Sequence, residues 1–271
     1  MSAPAGAMGE AIVMEVDDGV ARLTFNRPAT RNAIDLAGMQ RLGDLLTELA
    51  SAEAVRCMLV TGAGGSFCSG ADLGQGEEEF GDPRHASLMM HATARVIRAL
   101  VGSPVAVVAA VPGPAAGVGA SIALACDLVV ASDDAYFLLP FTGIGLVPDG
   151  GATATVAASI GRARALRLAL RGERLTAQAA YEAGLVAAVC TADELMVTAE
   201  EWATDLANGP RAAIARTKAL INDASLAGLG DALDRETAEQ IPMLASADFR
   251  EGVAAFRERR PPVFRGVGKQ V

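Results

Sequence analysis

The sequence predicts an α/β fold in which a core of alternating strands and helices is followed by a helical region. Apolar runs of strand length alternate with helical patterns up to about residue 190, and helical patterns dominate beyond that point. One run, PVAVVAAV at 104–111, is apolar throughout, which is typical of a strand buried on both faces of a sheet. A chain of 271 residues is long enough for one large domain, or for a core with an appendage.

A hairpin, a helix and a strand are predicted in the first part of the chain. Residues 11–26 contain two strand-like runs joined by Asp-Asp-Gly at 17–19, a turn sequence that favours a hairpin. From Asp35 onward, leucine and methionine recur at helical spacing and predict an amphipathic helix. The run VRCMLVTG at 55–62 then predicts a strand. Residues 1–9 are expected to be disordered.

The middle of the chain predicts a loop, two helices and two further strands. Residues 74–86 are acidic and rich in glycine, and they predict a surface loop with Glu77–Glu79 at its tip. A helix is expected to follow and to end near Val101. The run GASIALAC at 119–126 predicts a helix of small and apolar residues, and two short strands are predicted within 127–140.

The helical region opens with a capping signal. Thr191 and Glu194 have the Thr-x-x-Glu spacing of a capping box, which predicts the start of a helix. Further helical patterns continue to about Arg260, where RRPPVF ends them with two prolines.

Composition excludes several classes of function. The net charge of -9 argues against a nucleic-acid-binding protein, because no basic surface is available to meet a phosphate backbone. The N-terminus lacks a basic and apolar signal segment, and no run is apolar enough over its length to cross a bilayer. The cysteines lack C-x-x-C or metal-ligand spacing, so we expect reduced thiols in a cytoplasmic protein without a metal site; they are Cys57, Cys68, Cys126 and Cys190.

Two glycine-rich turns, at 61–73 and 111–121, share one design. Each follows an apolar strand, is crowded with Gly and Ala, and leads towards a helix. Two such turns facing one point could hold a developing oxyanion between two backbone N–H donors. Neither turn fits the G-x-G-x-x-G dinucleotide pattern, and the chain lacks the Gly-Lys-Ser/Thr of a phosphate-binding loop. The alternative is that these glycines only allow tight turns and close packing.

A lone acid, Asp149, lies in GIGLVPDGGAT at 143–153, a strand-like run broken by a proline. It precedes two glycines and a predicted helix, so it could be the N-cap of that helix. It could also be the working acid of an active site. The local pattern leaves both interpretations open.

Six motifs, in their order and spacing, resemble the enoyl-CoA hydratase/isomerase (crotonase) superfamily. They are FNRPATRNAID, GGSFCSGADL, the stretch 104–132, GIGLVPDGGAT, EAGLVAAVC and EGVAAFRERRPPVF, and together they cover nearly the whole chain. The resemblance implies a spiral of ββα turns over 10–195. It also implies a C-terminal helical region over 196–271 that builds a trimer, commonly stacked as a hexamer. The implied ligand is an acyl-CoA thioester, with no cofactor beyond the coenzyme A of the substrate.

The resemblance also implies the site residues. By motif position, the two oxyanion donors are the backbone N–H groups of Ala71 and Val118; the second is usually a glycine, and the valine side chain narrows the space beside it. The segment 71–74 would line the pocket for pantetheine and adenine, and two loop arginines would contact CoA phosphates unless they are merely solvated. The implied substrate-binding residues are Arg27, Arg31, Ala33, Ser69, Asp72, Leu73, Gly74, Ser121 and Phe141.

Three positions depart from the pattern of a hydratase. Hydratases of the family carry glutamates where this chain has Ser121 and Phe141, and without them a water is poorly activated for addition to a double bond. Asp149 lies where several isomerase-type members carry an acid. The resemblance therefore implies that Asp149 shuttles a proton between C2 and C4 of an enoyl-CoA, with a pKa raised by its apolar neighbour Phe141.

Other functions stay open at the level of the sequence. Asp149 could act as a nucleophile, as in family members that dehalogenate aryl-CoA, and the chain could bind acyl-CoA without turnover. His85 and His91 border the region of the acyl pocket, where a histidine is either a second base or a solvated residue.

Overall fold

The computed structural model describes residues 10–75 and 82–265. The strands are β1 Ile12–Asp17, β2 Val20–Phe25, β3 Cys57–Gly62, β4 Ala106–Val111, β5 Ala115–Ala116, β6 Leu128–Ser132, β7 Tyr136–Leu138, β8 Leu175–Thr176 and β9 Ala188–Cys190. The helices are α1 Leu36–Ser51, α2 Pro83–Gly102, α3 Val118–Leu124, α4 Ala152–Ile160, α5 Arg162–Arg171, α6 Ala177–Ala183, α7 Ala192–Asn208, α8 Arg211–Ser225, α9 Leu229–Leu244 and α10 Ala247–Glu258.

A six-stranded sheet in the order β1-β2-β3-β4-β6-β9 forms the centre of the fold, and β5, β7 and β8 form a smaller second sheet. The predicted hairpin is confirmed: β1 and β2 are antiparallel, with Asp17 opposite Val20. The two residues between them, Asp18 and Gly19, have φ of 47° and 80°, as a tight two-residue turn requires. The other pairings of the large sheet are parallel. The predicted α/β class is therefore confirmed.

Helices cover both faces of the large sheet. All six residues of β4 are buried, as its apolar run predicts. Helix α7 packs its alanine-rich stripe, with Leu195 at one end, against the outer face of β2, β3, β4 and β6. The capping box of Thr191 and Glu194 is confirmed at its start. The boundary predicted between 195 and 196 thus falls inside the first turn of α7, and this helix belongs to the packed core.

The C-terminal helices also pack onto the core. Helix α9 lies against α2, and α10 lies against the 3-10 turn Phe141–Ile144. A buried ion pair joins α8 to the sheet: Lys218 Nζ lies 2.8 Å from Asp127 and also donates to the carbonyls of Leu100 and Val105. These contacts place α9 and α10 beside the turns that carry the candidate site.

One predicted element is corrected, and others cannot be compared. The strand-like run after residue 143 is irregular, because the backbone of Val147 pairs with the side chain of Gln240 rather than with a strand. Residues 1–9 and the acidic tip at 77–79 lie outside the described residues. Within the described ranges, no helix combines the length and hydropathy needed to cross a membrane.

Candidate active site

The two glycine-rich turns lie side by side. Cys68 and Ala115 form a parallel bridge, and the N–H of Ala116 donates to the carbonyl of Cys68 at 2.9 Å. Side chains would separate the turns: a Cβ on Gly70 would lie 2.9 Å from the Ala116 oxygen, and one on Gly119 would lie 2.3 Å from the Cys68 oxygen. The glycines therefore permit a close approach of two backbones, which their sequence pattern alone does not distinguish from ordinary turns.

The contribution of this close packing to stability can be tested by substituting a glycine. Gly119→Ala is expected to lower the free energy of unfolding by about 3 kcal/mol, because the new Cβ meets backbone and a buried thiol that have no room to move. Gly143→Ala is the matched control, since nothing lies within 4 Å of its Cβ position. Urea denaturation of both variants measures the difference. Equal stability of the two variants would contradict the close packing of the turns.

Each turn contributes to the wall of one cavity a residue whose backbone N–H is not used in the bonds between the turns. Ile34 N–H donates to the Gly70 carbonyl, and Asp72 N–H donates to the Ile34 carbonyl, so the N–H of Ala71 between them points away from this bridge. Val118 is the first residue of α3, where a helix leaves its N–H groups without an intrahelical acceptor. Ala71 and Val118 both line the cavity. The geometry therefore suits two N–H donors for one oxyanion.

The cavity has a volume of about 100 Å³, and its wall is mostly apolar. The polar side chains on its wall, within the described residues, are Ser69, Thr93, Asp149 and Gln240. Its main apolar contributors come from α2, from the turn after β7 and from the C-terminal helices, and include Met89, Met90, Phe141, Leu146, Leu244 and Phe249. A carboxyl group on such a wall is poorly solvated.

Asp149 is buried on this wall, with 9% of its surface exposed. Its Oδ2 accepts a hydrogen bond from Gln240 Nε2 at 2.9 Å, whereas its Oδ1 has no partner among the described residues. Burial raises the pKa of Asp149 to about 7; the Gln240 hydrogen bond opposes this shift and the charge of Glu236 adds to it. Asp149 is therefore divided between carboxylate and acid near neutral pH, as a proton shuttle requires.

The N-cap interpretation of Asp149 is wrong. Helix α4 begins at Ala152, and its N-cap is Gly151, which offers no side chain. Gly150 and Gly151 have φ of 65° and 73°, and these two residues separate the carboxyl group from the helix start. The carbonyl of Asp149 accepts from Ser121 Oγ at 2.8 Å and from Ala152 N–H, so its backbone, and not its carboxyl group, supports the start of α4.

Two buried polar side chains of α9, Glu236 and Gln240, are absent from the sequence-based predictions. Gln240 bonds Val147 as well as Asp149, and Glu236 accepts the N–H groups of Gly151 and Thr153. The available signal was their place on the buried stripe of an amphipathic helix, where polar residues are unusual. Their partners lie more than 80 residues earlier in the chain, which the helical pattern does not reveal.

The structure places some predicted substrate-binding residues on the cavity wall and others elsewhere. Ser69, Leu73 and Phe141 line the cavity. Ser121 does not: it is 0% exposed, and its hydroxyl donates to the carbonyl of Asp149, so it supports the wall from behind. Gly74 is exposed outside the cavity.

The loop that carries Arg27 and Arg31 forms mostly contacts within the protein. The guanidinium of Arg27 donates to Asp72, Asp35 and the Ala33 carbonyl, so it takes part in an internal ion-pair network. Its contact with a CoA phosphate stays a prediction. Asp72 and Ala33 take part in this network and lie outside the cavity wall. Arg31 is exposed on the same loop, and its carbonyl accepts from Ser69 N–H.

Neither histidine lies on the cavity wall. His91 is exposed, and its Nδ1 lies 2.7 Å from the Ser87 carbonyl on the same helix. His85 is half-buried, near the start of α2. Among the described residues, Asp149 is therefore the only titratable side chain on the cavity wall.

Comparison with known proteins supports the motif resemblance over most of the chain. Residues 15–267 match the family model described as enoyl-CoA hydratase/isomerase. The chain is 37% identical over 273 residues to a 1,2-epoxyphenylacetyl-CoA isomerase of Escherichia coli (strain K12), covering 96% of this chain and 100% of that protein. It is 38% identical over 256 residues to a probable enoyl-CoA hydratase of Rhodobacter capsulatus, covering 93% of this chain and 96% of that protein.

A solved structure shares the fold closely. The crystal structure of an enoyl-CoA hydratase from Mycobacterium avium subsp. paratuberculosis K-10 is 42% identical in sequence and superposes with a TM-score of 0.87. The match covers 94% of this chain and 98% of that chain.

Proposed function

The chain belongs to the enoyl-CoA hydratase/isomerase family, and from that premise we propose that it moves a double bond in an enoyl-CoA thioester. The proposed chemistry is a 1,3-proton transfer through an enolate, with Asp149 as the single acid–base group. The observation that carries the proposal is the Asp149 carboxyl group. It is buried on an apolar wall, is hydrogen-bonded at one oxygen only by the part of the chain that the structure describes, and has a pKa of about 7.

The proposed reaction begins with proton abstraction. The Asp149 carboxylate takes a proton from C2 of a 3-enoyl-CoA, and the electron pair moves onto the thioester oxygen. The N–H groups of Ala71 and Val118 stabilise this oxyanion. The carboxylic acid then returns the proton to C4, the double bond forms between C2 and C3, and the thioester carbonyl is restored. No water, metal or redox cofactor takes part in the proposed steps.

Two features of the site disfavour hydration by the two-glutamate route. Phe141 lines the cavity and offers no group to bind or deprotonate a water. Ser121 lies behind the wall, where its hydroxyl is used by the Asp149 carbonyl. Since the relatives' names include both a hydratase and an isomerase, the proposal rests on the chemistry of this site rather than on a name.

The pantetheine chain of the CoA thioester is proposed to leave the cavity along the first glycine-rich turn, at 61–73. Ser69 and Leu73 line the cavity on that side, with Gly74 exposed beyond them. Exposed Arg31 follows on the neighbouring loop and is the proposed contact for a CoA phosphate. Arg27 is omitted, because its guanidinium already pairs with two carboxylates.

We further propose that the chain forms a trimer or a hexamer of two trimers. Support comes from large apolar side chains that the single chain leaves exposed on its later helices, including Val197, Leu220, Ile221 and Phe256. Large apolar side chains that a single chain leaves exposed can be covered at an interface between subunits. Light scattering coupled to size-exclusion chromatography is expected to give three or six times 27.6 kDa, and a monomer would contradict the proposal.

The experiment that tests the reaction compares two substrates of equal chain length. We expect the purified protein to convert a 3-enoyl-CoA into the trans-2-enoyl-CoA, followed by liquid chromatography and mass spectrometry. When the reaction is run in D₂O, part of the hydrogen that C4 gains should be protium carried from C2, because one buried acid transfers the proton. Rapid formation of a 3-hydroxyacyl-CoA from the trans-2-enoyl-CoA would contradict the proposal, and binding without turnover would indicate a carrier.

A further inference from the structure

Helix α9 carries two polar side chains on its buried stripe. Glu236 and Gln240 are 5% and 1% exposed, respectively, and they lie one turn apart on the same face. The rest of the stripe is apolar, with Leu229, Leu233 and Leu244. Burying polar groups is unfavourable unless they are hydrogen-bonded, so their partners should explain their presence. All of those partners lie in the segment 147–153, which contains Asp149.

Gln240 uses its whole amide group. Its Oε1 accepts from Val147 N–H at 3.0 Å, and its Nε2 donates to the Val147 carbonyl at 2.9 Å. The amide thus pairs with Val147 as the peptide group of a neighbouring strand would. The second Nε2 proton goes to Asp149 Oδ2 at 2.9 Å. This arrangement holds the carboxyl group by one oxygen and leaves Oδ1 for a substrate.

Glu236 holds the chain on the other side of Asp149. Its carboxylate accepts from Gly151 N–H at 2.7 Å and from Thr153 N–H at 3.1 Å, and the Thr153 hydroxyl donates to it as well. Residues 150 and 151 are glycines with positive φ, a backbone that takes many conformations in the absence of such contacts. Glu236 therefore fixes the part of the loop that is least restrained by its own sequence.

Among the residues that the structure describes, Glu236 is also the charged group that acts on Asp149 from the surrounding elements. The wall residues that come from α2, α3, the turn at 141–144 and α10 are uncharged. The remaining charged side chains of α9, and those of α2 opposite it, are exposed: Asp231, Asp234, Arg235, Glu239, Arg95 and Arg98.

We propose that Gln240 and Glu236 are positioning residues for Asp149, one holding its carboxyl group and the other holding the loop behind it. The inference rests on the proposed role of Asp149 as the base. It assigns the two residues opposite electrostatic effects. The amide of Gln240 donates to Asp149 and favours its ionised form, whereas the negative charge of Glu236 disfavours it. If the two residues only supported the fold, their substitution would not shift the titration of Asp149 in opposite directions.

The test is the pH dependence of kcat/KM for the 3-enoyl-CoA in two variants and a control. For the unaltered chain, we expect activity to rise with pH through a midpoint near 7. Gln240→Met should move the midpoint up by about one unit and lower kcat more than it changes KM. Glu236→Gln should move the midpoint down by about half a unit or more. Glu239→Gln, an exposed neighbour on the same helix, should leave it unchanged.

A second measurement separates this inference from the proposed function. Carbon-13 NMR of chain labelled at the aspartate carboxyl carbons follows the titration of Asp149 directly, with Asp149→Asn identifying its signal. Opposite shifts of this titration in the two variants support the inference. Lower rates with an unmoved Asp149 titration would overturn it. Should the titration move while the kcat/KM profile does not, the positioning roles are supported and the base role of Asp149 falls.

The variants are chosen so that one of them keeps the fold. Gln240→Met leaves the backbone of Val147 without partners, and the resulting chain could unfold. Glu236→Gln retains an acceptor for Gly151 N–H, because only one carboxylate oxygen is replaced, by an NH₂ group. If Gln240→Met does not fold, the direction of the Glu236→Gln shift alone decides, and an upward or absent shift would overturn the inference.

Discussion

Asp149→Asn is expected to lower kcat/KM for the 3-enoyl-CoA by about 10³-fold, because an amide takes no proton from C2. The substitution preserves size, and the new amide oxygen still accepts from Gln240, so the cavity should keep its shape. The measurement is steady-state turnover of both proteins at pH 8, where the original side chain is mainly ionised.

Binding of the product provides the control for Asp149→Asn. The affinity of the variant for a trans-2-enoyl-CoA, measured by calorimetry, is expected to stay within a few-fold of that of the unaltered protein, since the cavity wall is otherwise unchanged. Loss of turnover with retained binding assigns the proton transfer to Asp149. Turnover above a tenth of the original rate would show that another group carries the proton.

Gly117→Ala is expected to lower kcat by about 10²-fold or more through the backbone alone. Gly117 has φ of 55° and ψ of -134°, a conformation that side chains disfavour. The atom nearest to the new Cβ lies at 3.7 Å, so there is room for a methyl group, but the dihedral angles of residue 117 become strained. Relief of that strain rotates the peptide between residues 117 and 118, and this peptide carries the N–H of Val118.

The control for Gly117→Ala is a glycine of similar φ away from the cavity. Gly184 has φ of 81° at the end of α6, with ordinary contacts at its Cβ position. Gly184→Ala should lower stability by about 1 kcal/mol and leave kcat within about threefold. Equal effects of the two substitutions on kcat would contradict an oxyanion donor at Val118, because strain alone would then account for the loss.

Local patterns predicted the elements of this fold well, because each depends on a few neighbouring residues. The Asp-Asp-Gly turn, the apolar run of β4 and the capping box of α7 all occur as expected. The site was predicted less completely. Gln240 meets Asp149 only after α9 packs against α2, and no pattern near either residue records that contact.

The N-cap interpretation of Asp149 failed, and the ion pairs of Arg27 were missed, for reasons that lie in the three-dimensional fold. Asp149 has the sequence context of an N-cap, but two glycines with positive φ put the helix start out of its reach. Arg27 has the context of a solvated or phosphate-binding arginine. Its position between Asp35 and Asp72 became apparent only once the loop and the first glycine turn were folded together.

The buried carboxyl group links folding to proton uptake. An unfolded chain releases the Asp149 proton near the ordinary pKa of about 4, whereas the folded chain holds it up to about 7. Between these values the folded state binds more protons, so its stability falls as pH rises, by at most ~4 kcal/mol for this group. Glu236, whose pKa burial also raises, acts in the same direction. The protein is thus expected to be most resistant to unfolding in mildly acidic solution, where its base is protonated and its turnover is slow.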